Sequence, residues 1–523
     1  MKIWRVALIG LAAGTSAIAF GAPAVGPNPA FSGRDLFDLS TAAEPQISPD
    51  GRTIAYVRRQ ADIMTDRMVP SIWLIDVATG AERPLVAGKG AHSSPRWSPD
   101  GSRLAYVSTE EGSTAQLFVR WMASGEAARI TSLPDSPNSV DWSPDGSQIA
   151  YVMSVPDEGT KLGSAPPKPE GAEWAKPLEV IDKVTYRNDG SGYVKPGFDQ
   201  LFVVSATGGA PRQLTYGAFH HAGPLDWTPD GRSILISANG SADWERDARD
   251  SEAYRVDAAS GALTALTNRD GPDFAPVVSP DGRHIAYLGY DDEGRAFPHD
   301  RLYVMNRDGT GSRRLASSLD RGFDAVAWEG NALIVQYEDE GRMALARVGL
   351  DGRVQKLTGA LAGSGLHVPY LGGEFSVARN GTVALTTGEA NRPSDIAVWR
   401  GGELRRLTDL NRHLAAKRLG ETREISVTAA DGQKVPAWLV LPPGYQPGQR
   451  VPTILEIHGG PALAYGPFFS TDYQLYAAAG YAVLFTNPRG STSYGEKFMD
   501  AIDKAYPGPD FPDLMAAVDA AVA

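Results

Sequence analysis

VPTILEIHGGPALAYGPFFSTDYQLYAAAGYAVLFTNPRGS, residues Val451–Ser491, predicts a strand, a glycine turn, a helix and a second strand. The first apolar run ends at the sequence HGGP, residues 458–461. Ser470 or Thr471 is suited to cap the following helix and Gly480 to end it, after which an apolar run resumes. A strand, a helix and a strand within about 35 residues form the βαβ unit of a parallel sheet.

The two glycines of this turn are candidate functional residues. In parallel sheets, ligands bind beyond the carboxyl ends of the strands, where Gly459 and Gly460 lie. Because glycine has no Cβ, its backbone N–H can approach a reacting oxygen closely, as an oxyanion hole requires. We therefore predict that these two amides stabilise a developing negative charge.

Length and composition limit the possible classes of protein. A chain of 523 residues exceeds one ordinary core, so at least two domains are expected. Its hydrophobic fraction of 42% and charged fraction of 21% are typical of a globular protein. The net charge of −12, without a long basic run, argues against a nucleic-acid partner.

The N-terminus has the pattern of an export signal over residues 1–24. Lys2 and Arg5 precede the apolar segment Val6–Phe20, and Ala17–Ala19 offers a small-x-small cleavage pattern. We expect cleavage between residues 19 and 24 and export to a periplasm or the exterior; a retained N-terminal anchor is the alternative. The segment is too short to span a bilayer comfortably. The absence of cysteine excludes disulfides and thiol chemistry and is compatible with export.

One turn motif recurs through most of the chain. Ser/Thr-Pro-Asp-Gly occurs five times, at 48–51, 98–101, 143–146, 228–231 and 279–282, each time between strand-like runs. Proline presets φ, aspartate bonds locally and glycine accepts a positive φ, so each copy predicts a hairpin turn. Tryptophan precedes three of them, and we expect Trp97, Trp142 and Trp227 to pack between sheets.

The spacing of these turns predicts a β-propeller. A second hairpin signal follows each turn, which gives four strands per repeat, and weaker copies near residues 330 and 380 extend the series. Four strands at a period of about 40–50 residues indicate a propeller blade. Seven anchors then predict seven four-stranded blades within residues 25–415; a β-sandwich with similar turns is the alternative.

The third repeat is longer than the others, which predicts an insertion at about 156–197. Its end, Val184 to Tyr193, has the pattern of a hairpin. Long insertions in repeat proteins often lie on the binding face. Its candidate substrate-binding residues are Glu170, Glu173 and Glu179, whose carboxylates would bind a substrate ammonium. Arg187 is a further candidate, whose guanidinium would bind a carboxyl or carbonyl group. They can equally be solvated charges on a loop.

A second domain follows over residues 416–523. EISVTAADGQKVPAWLVLP predicts a hairpin around Asp431 and Gly432, and the strand to His458 comes next. The order β, β, β, α, β is that of the N-terminal part of an α/β-hydrolase domain.

The chain resembles the prolyl oligopeptidase family of serine peptidases, within it the acylaminoacyl-peptidase and bacterial dipeptidyl-peptidase branch. The resemblance rests on DLFDLSTAAEPQISPDGRTIAYV, the Pro-Asp-Gly repeats, HGGP, and NPRGS at 487–491 followed by Tyr494, Gly495 and Phe498. It implies a seven-bladed propeller over an α/β-hydrolase domain, with peptides cleaved between them. It also implies an oxyanion role for Gly459 or Gly460 and a His458 side chain that lines the site.

The catalytic triad that the family mechanism requires is not found. The nucleophile belongs on a Gly-x-Ser-x-Gly turn after the fifth strand, and none occurs after Gly460. Phe511–Ala523 has the pattern of the helix before that strand, with Asp513 near its positive end. We therefore expect serine, aspartate and histidine beyond Ala523, in a longer enzyme, and no peptide hydrolysis by this chain alone.

Two other functions stay open. The first is a non-catalytic propeller that binds peptides or envelope proteins, and the second is an esterase. No metal-ligand spacing and no phosphate-binding glycine loop occur, so we expect no metal and no cofactor. The sequence does not indicate an oligomeric state.

Overall fold

The computed structural model describes residues 28–523, apart from residues 165, 176, 177 and 179. The predicted export signal and the candidate Glu179 lie outside the described residues. No helix in the described part of the chain is long and apolar enough to cross a membrane.

Residues 40–406 form a series of antiparallel sheets, each built from consecutive strands. The first two sheets are β1 (Ser40–Ile47), β2 (Thr53–Asp62), β3 (Arg67–Asp76), β4 (Glu82–Val86), and β5 (His92–Trp97), β6 (Arg103–Ser108), β7 (Gln116–Trp121), β8 (Ala127–Arg129). The third is β9 (Asn138–Trp142), β10 (Gln148–Pro156), β13 (Gly197–Ser205), β14 (Arg212–Gln213), with the hairpin β11 (Arg187–Asn188) and β12 (Gly192–Tyr193) inserted after β10.

The later sheets follow the same plan. They are β15 (His221–Trp227), β16 (Ser233–Ala238), β17 (Glu252–Asp257), β18 (Leu263–Ala265), and β19 (Asp273–Val278), β20 (His284–Gly289), β21 (Arg301–Asn306), β22 (Arg313–Arg314). The last is an eight-stranded sheet of β23 (Phe323–Glu329), β24 (Ala332–Glu338), β25 (Met343–Gly349), β26 (Val354–Leu361), β27 (Phe375–Val377), β28 (Val383–Glu389), β29 (Arg392–Arg400) and β30 (Glu403–Arg406).

The sheets close into a ring. The leading strands contact one another in the order β1, β5, β9, β15, β19, β23 and β27, and β27 returns to β1. Side chains join the two ends: Ser394 bridges the N–H and C=O of Ala42, and Asn411 does the same for Ser40. The propeller is thus confirmed, while the count of seven blades stays a prediction because pairing of Leu361 with Thr387 merges the last strands into one sheet.

The Pro-Asp-Gly turns are the hairpins that the motif predicts. At one of them the Gly146 N–H donates to the Ser143 carbonyl (2.8 Å) and the Ser143 hydroxyl to Asp145 (2.6 Å). The five turn glycines have φ between 67° and 75°, a conformation that favours glycine. Local geometry, rather than packing, therefore fixes where each first strand turns into the second.

Tryptophans join neighbouring sheets, as predicted. The Trp97 indole N–H donates to the Gln46 carbonyl (2.9 Å) on the preceding sheet, and the Trp142 indole N–H to the Arg96 carbonyl (3.0 Å). Trp227 packs in the core between the third and fourth sheets. Each tryptophan buries apolar area and contributes to closing the ring.

The second domain begins with a mixed sheet in the order β31 (Glu421–Thr428), β32 (Lys434–Leu441), β34 (Ala482–Thr486), β33 (Thr453–Glu456). β33 and β34 are parallel, as the βαβ pattern predicts. The helices are α1 (Thr471–Ala478), α2 (Glu496–Met499) and α3 (Asp510–Val522), and 3-10 turns cover Asp35–Asp38, Arg412–Ala416 and Asp500–Ile502. This is the predicted start of an α/β-hydrolase domain, and β31 and β33 are the edge strands of the described sheet.

The predicted helix cap at Ser470 and the predicted C-terminal helix are both present in this domain. The Ser470 hydroxyl accepts from the Tyr473 N–H (3.2 Å) and caps α1. Helix α3 packs its Ala517 against Leu484 and Val427 of the sheet.

Two carboxylates lie at neighbouring positions of the leading strands, Asp141 on β9 and Asp226 on β15. Burial raises the pKa of Asp141 to about 7, against the opposing effect of Arg96. Burial, together with the Asp141 charge, raises the pKa of Asp226. The folded propeller therefore binds protons that the unfolded chain releases.

Replacement of Asp141 with Asn should make the protein less sensitive to rising pH. A folded-state pKa above the unfolded value gives stability that is full at low pH and is lost as pH rises through about 7. We expect the thermal midpoint of Asp141→Asn to exceed that of the wild type by about 2–5 °C near pH 8.5, and the gap to shrink near pH 5. Circular dichroism melts measure both.

Asp145→Asn is the matched control on the same sheet. Hydrogen bonds from Ser143 and Ser147 lower the pKa of Asp145, so its stabilisation is lost only in acid. The thermal midpoint of Asp145→Asn should change between pH 5 and pH 8.5 by as much as the wild-type midpoint changes. A midpoint gap for Asp141→Asn that does not change with pH would contradict the burial argument.

Candidate active site

The glycine turn after β33 presents unused donors. Gly459 and Gly460 are exposed, and neither backbone N–H donates a hydrogen bond to any residue that the structure describes. Gly460 has φ +133°, and a Cβ there would lie 2.9 Å from the Ala462 nitrogen. The position thus requires glycine, and the two amides are available to an external acceptor.

His458, beside this turn, is buried and bound. Its Nε2 lies 2.9 Å from the Ser491 hydroxyl oxygen, which itself donates to the Pro488 carbonyl (2.6 Å). Burial lowers the pKa of His458, which favours the neutral ring. Its ring also packs edge-on against Tyr465, with centroids 5.1 Å apart. In this arrangement the His458 side chain positions the turn; that it also lines a substrate site stays a prediction.

The NPRGS segment supplies three anchors around the turn. The Asn487 amide holds both backbone groups of Tyr465, at 2.8 Å each. Arg489 forms a bidentate pair with Asp513 in the first turn of α3, at 2.9 and 2.6 Å. Ser491 holds His458. Each polar residue of the motif therefore fixes a different element, which keeps the loop rigid.

The loop that follows the glycine turn packs against the propeller. Tyr465 forms an isolated bridge with Tyr370, and the Leu371 N–H donates to the Ala464 carbonyl (3.1 Å). The Gly341 N–H donates to the Ser493 hydroxyl (2.8 Å). The two domains therefore meet within a few residues of the candidate site.

An ion cluster adds a second contact between the domains. The Glu496 carboxylate pairs with Arg295 (2.6 Å) and Arg301 (2.7 Å), and Arg295 also pairs with Asp500 (3.0 Å). The Arg301 side chain is only 10% exposed. Because a charge this buried is costly without its partner, the cluster favours the docked arrangement.

The insertion lies on the propeller face that the second domain occupies. The contacting residues Arg295 and Gly341 belong to connections between the second and third strands of their sheets, and the insertion is the same connection in the third sheet. The Pro-Asp-Gly turns lie at the opposite end of the strands. Lys183 of the insertion approaches Glu245 of the next such connection, at 3.7 Å.

The remaining candidates of the insertion are solvent-exposed. Glu170, Glu173 and Arg187 make no side-chain hydrogen bond or ion pair with any described residue, and none joins them to the glycine turn. These three residues lie on the propeller face that meets the second domain, and they form no described contact with the glycine turn. Their role in substrate binding stays a prediction.

Sequence reasoning missed the residues that support the turn. Ser491, Asn487 and Arg489 stood in a quoted motif, but nothing in the motif indicates that they bind His458, Tyr465 and Asp513. The described residues contain no group of three or more His, Cys, Asp or Glu that could hold a metal ion.

Ser491→Ala should destabilise the second domain. The substitution leaves the buried His458 ring nitrogen and the Pro488 carbonyl without their partner, which typically costs about 1–3 kcal/mol. Urea unfolding would measure the loss. Ser317→Ala, at an exposed site on the propeller, is the control and should leave the midpoint unchanged. Equal midpoints for both variants would show that the bond contributes nothing.

Comparisons with known proteins match each part of the chain. Residues 38–157 match the family model of the TolB beta propeller domain, residues 173–292 that of the dipeptidyl peptidase IV N-terminal region, and residues 467–523 that of the prolyl oligopeptidase family. Pyrococcus horikoshii acylaminoacyl peptidase has a similar fold, with a TM-score of 0.75 at 21% identity over 92% of this chain and 71% of that one.

Similar curated proteins are peptidases. Dipeptidyl-peptidase 5 of Porphyromonas gingivalis is 24% identical over 503 residues, which cover 92% of this chain and 71% of the relative. The uncharacterized peptidase YuxL of Bacillus subtilis is 30% identical over 509 residues, which cover 93% of this chain and 75% of the relative. With its propeller, its hydrolase-type sheet and this likeness over nearly its whole length, the chain belongs to the prolyl oligopeptidase family.

Proposed function

We propose that this chain provides the propeller and the first part of the catalytic domain of a serine peptidase that hydrolyses short peptides. The amides of Gly459 and Gly460 would hold the oxyanion of the tetrahedral intermediate. The serine expected beyond Ala523 would attack the scissile carbonyl. A histidine would take the serine proton and pass it to the leaving amine, and water would then hydrolyse the acyl-enzyme.

The observation that carries this proposal is the pair of free amides. They lie on an exposed turn at the carboxyl end of a parallel strand, next to the contact between the domains. A donor aimed at a developing oxyanion typically contributes about 100- to 1,000-fold in rate. The frame formed by Asn487, Arg489 and Ser491 supports this role because it holds the turn without using its amides.

We propose that the substrates are short peptides with a free or acylated N-terminus. The names of the relatives, dipeptidyl-peptidase and acylaminoacyl peptidase, support amino-, dipeptidyl- or acylaminoacyl-peptidase activity. A propeller docked over the site would exclude folded proteins. Glu170 and Glu173 would then meet a substrate ammonium and Arg187 a carbonyl, with His458 beside the scissile bond. The signal pattern supports a periplasmic or secreted enzyme.

No Gly-x-Ser-x-Gly turn follows Gly460 within the 523 residues, so we propose that these residues alone are inactive. A fluorophosphonate probe should label the polypeptide that continues beyond Ala523 and leave the 523-residue chain unlabelled. Labelling of the 523-residue chain would refute this placement of the nucleophile, and absence of labelling in the longer polypeptide would favour a binding propeller without catalysis.

Substrate comparison separates a peptidase from an esterase. The longer polypeptide should hydrolyse aminoacyl- or dipeptidyl-p-nitroanilides, and in it Gly460→Ala should lower kcat by about 100- to 1,000-fold because the strained turn misplaces its amide. Gly459→Ala is the matched variant, since a Cβ there meets no atom within 4 Å. It should retain more activity than Gly460→Ala. Hydrolysis of simple acyl esters without amide hydrolysis would contradict the peptidase proposal.

A further inference from the structure

A cavity of about 290 Å³ opens beside the insertion, where the third, fourth and fifth sheets meet. Ala222 and Gly223 of β15 and Phe274 of β19 line its inner side. These residues belong to leading strands, which contact one another around the ring and are therefore its innermost strands. The cavity thus lies close to the axis of the ring.

The cavity lies on the face of the propeller that meets the second domain. Its outer wall is the connection between β16 and β17, which carries Trp244 and Ala248. From the same connection, Arg249 donates to the Arg295 carbonyl (3.0 Å), and Arg295 pairs with Glu496 of the second domain (2.6 Å). The wall of the cavity is therefore linked to the second domain through one intervening connection.

Aromatic side chains form two of the walls. The Trp244 ring stands edge-on to the Phe198 ring, with centroids 5.9 Å apart, and to the His220 ring, with centroids 5.7 Å apart. Because Phe198 is buried, these contacts fix the orientation of Trp244. Phe274 provides the wall on the fifth sheet. Such a setting suits a further aromatic ring, since edge-to-face and offset ring pairs are favourable.

The lining is accessible from outside. Trp244 and Phe274 are half-buried, and the His220 side chain is 43% exposed. Ala222 and Ala248 are exposed, and their small side chains leave the space between the rings open. The protein itself therefore does not cover the aromatic walls.

The polar groups of the lining that could bind a charged ligand are already bonded. The Asn239 amide donates and accepts within its own connection, at 2.6 and 2.7 Å. The Ser237 hydroxyl accepts from the Ala275 N–H (3.1 Å), and the Glu245 carboxylate lies 3.7 Å from the Lys183 ammonium. An apolar side chain can therefore fill the cavity without breaking these bonds.

We propose that this cavity binds an aromatic side chain of the peptide substrate, with its ring against Trp244 and Phe274. The inference rests on the proposed peptidase function and names its substrate class, which is short peptides that carry phenylalanine, tyrosine or tryptophan. Ala222 and Ala248 set the size of the side chain that fits. These residues select the substrate away from the glycine turn and take no part in the chemistry.

Calorimetric titration of the full 523-residue chain tests the cavity without catalysis. Acetyl-Ala-Phe-Ala-amide should bind at one site per chain, at least about threefold more tightly than its cyclohexylalanine analogue, because a saturated ring lacks the quadrupole. Acetyl-Ala-Ala-Ala-amide should bind at least about 10-fold more weakly, since it buries no ring. An affinity for either analogue that equals or exceeds that for the phenylalanine peptide would overturn the proposal.

Variants of exposed alanines locate the binding site. Ala248→Trp and Ala222→Phe should fill the cavity from opposite sides and each weaken binding of the phenylalanine peptide by about 10-fold or more. Ala242→Trp is the matched control, because Ala242 is exposed on the same connection and does not line the cavity. It should bind as the wild type does. Unchanged binding in either folded filling variant, or equal weakening by Ala242→Trp, would overturn the proposal.

Kinetics of the polypeptide that continues beyond Ala523 separate this inference from the proposed function. In alanine-based peptides, phenylalanine at one position should raise kcat/KM by at least about fivefold over the all-alanine peptide. Ala248→Trp should remove this preference and Ala242→Trp should keep it. Hydrolysis without a preference for phenylalanine at any position would overturn this inference alone. Failure of the proposed function would instead appear as no hydrolysis of any peptide, with the binding preference of the 523-residue chain intact.

Discussion

The buried pair between Arg489 and Asp513 holds the second domain in its described form. Asp513 is fully buried, and its carboxylate accepts from the Arg489 backbone N–H, Nε and Nη2. A buried carboxylate is tolerated only when such donors satisfy it. The pair ties helix α3 to the loop that carries Asn487 and Ser491, and these two residues bind Tyr465 and His458 on the two sides of the glycine turn.

The features that could be predicted from the sequence are those set by the preferences of neighbouring residues. The Pro-Asp-Gly turns, the strand order around HGGP and the cap at Ser470 follow from residue preferences and were found where the patterns indicate. Contacts between distant segments, such as Ser491 with His458 or Arg295 with Glu496, have no local signature. The glycine pair could therefore be predicted as a candidate site, while the side chains that rigidify it could not.

The two faces of the propeller carry different kinds of sequence. One face is built from the short, nearly identical Pro-Asp-Gly turns, whose shape is fixed by their own hydrogen bonds. The other face carries the variable connections, including the insertion with Lys183 and the loop with Arg295, and it meets the second domain. The connections on one face can thus vary in length and sequence without altering the turns that define the other.

Each sheet of the ring takes its strands from one contiguous stretch of chain, and side chains such as Ser394 and Asn411 close the circle without exchanging a strand. An insertion can therefore lengthen a loop within one sheet while the strand connectivity of the other sheets stays the same. The pairing of Pro156 with Gly197 shows this, since forty residues leave and re-enter the third sheet at directly opposed positions. This arrangement allows the face that meets the second domain to change one loop at a time.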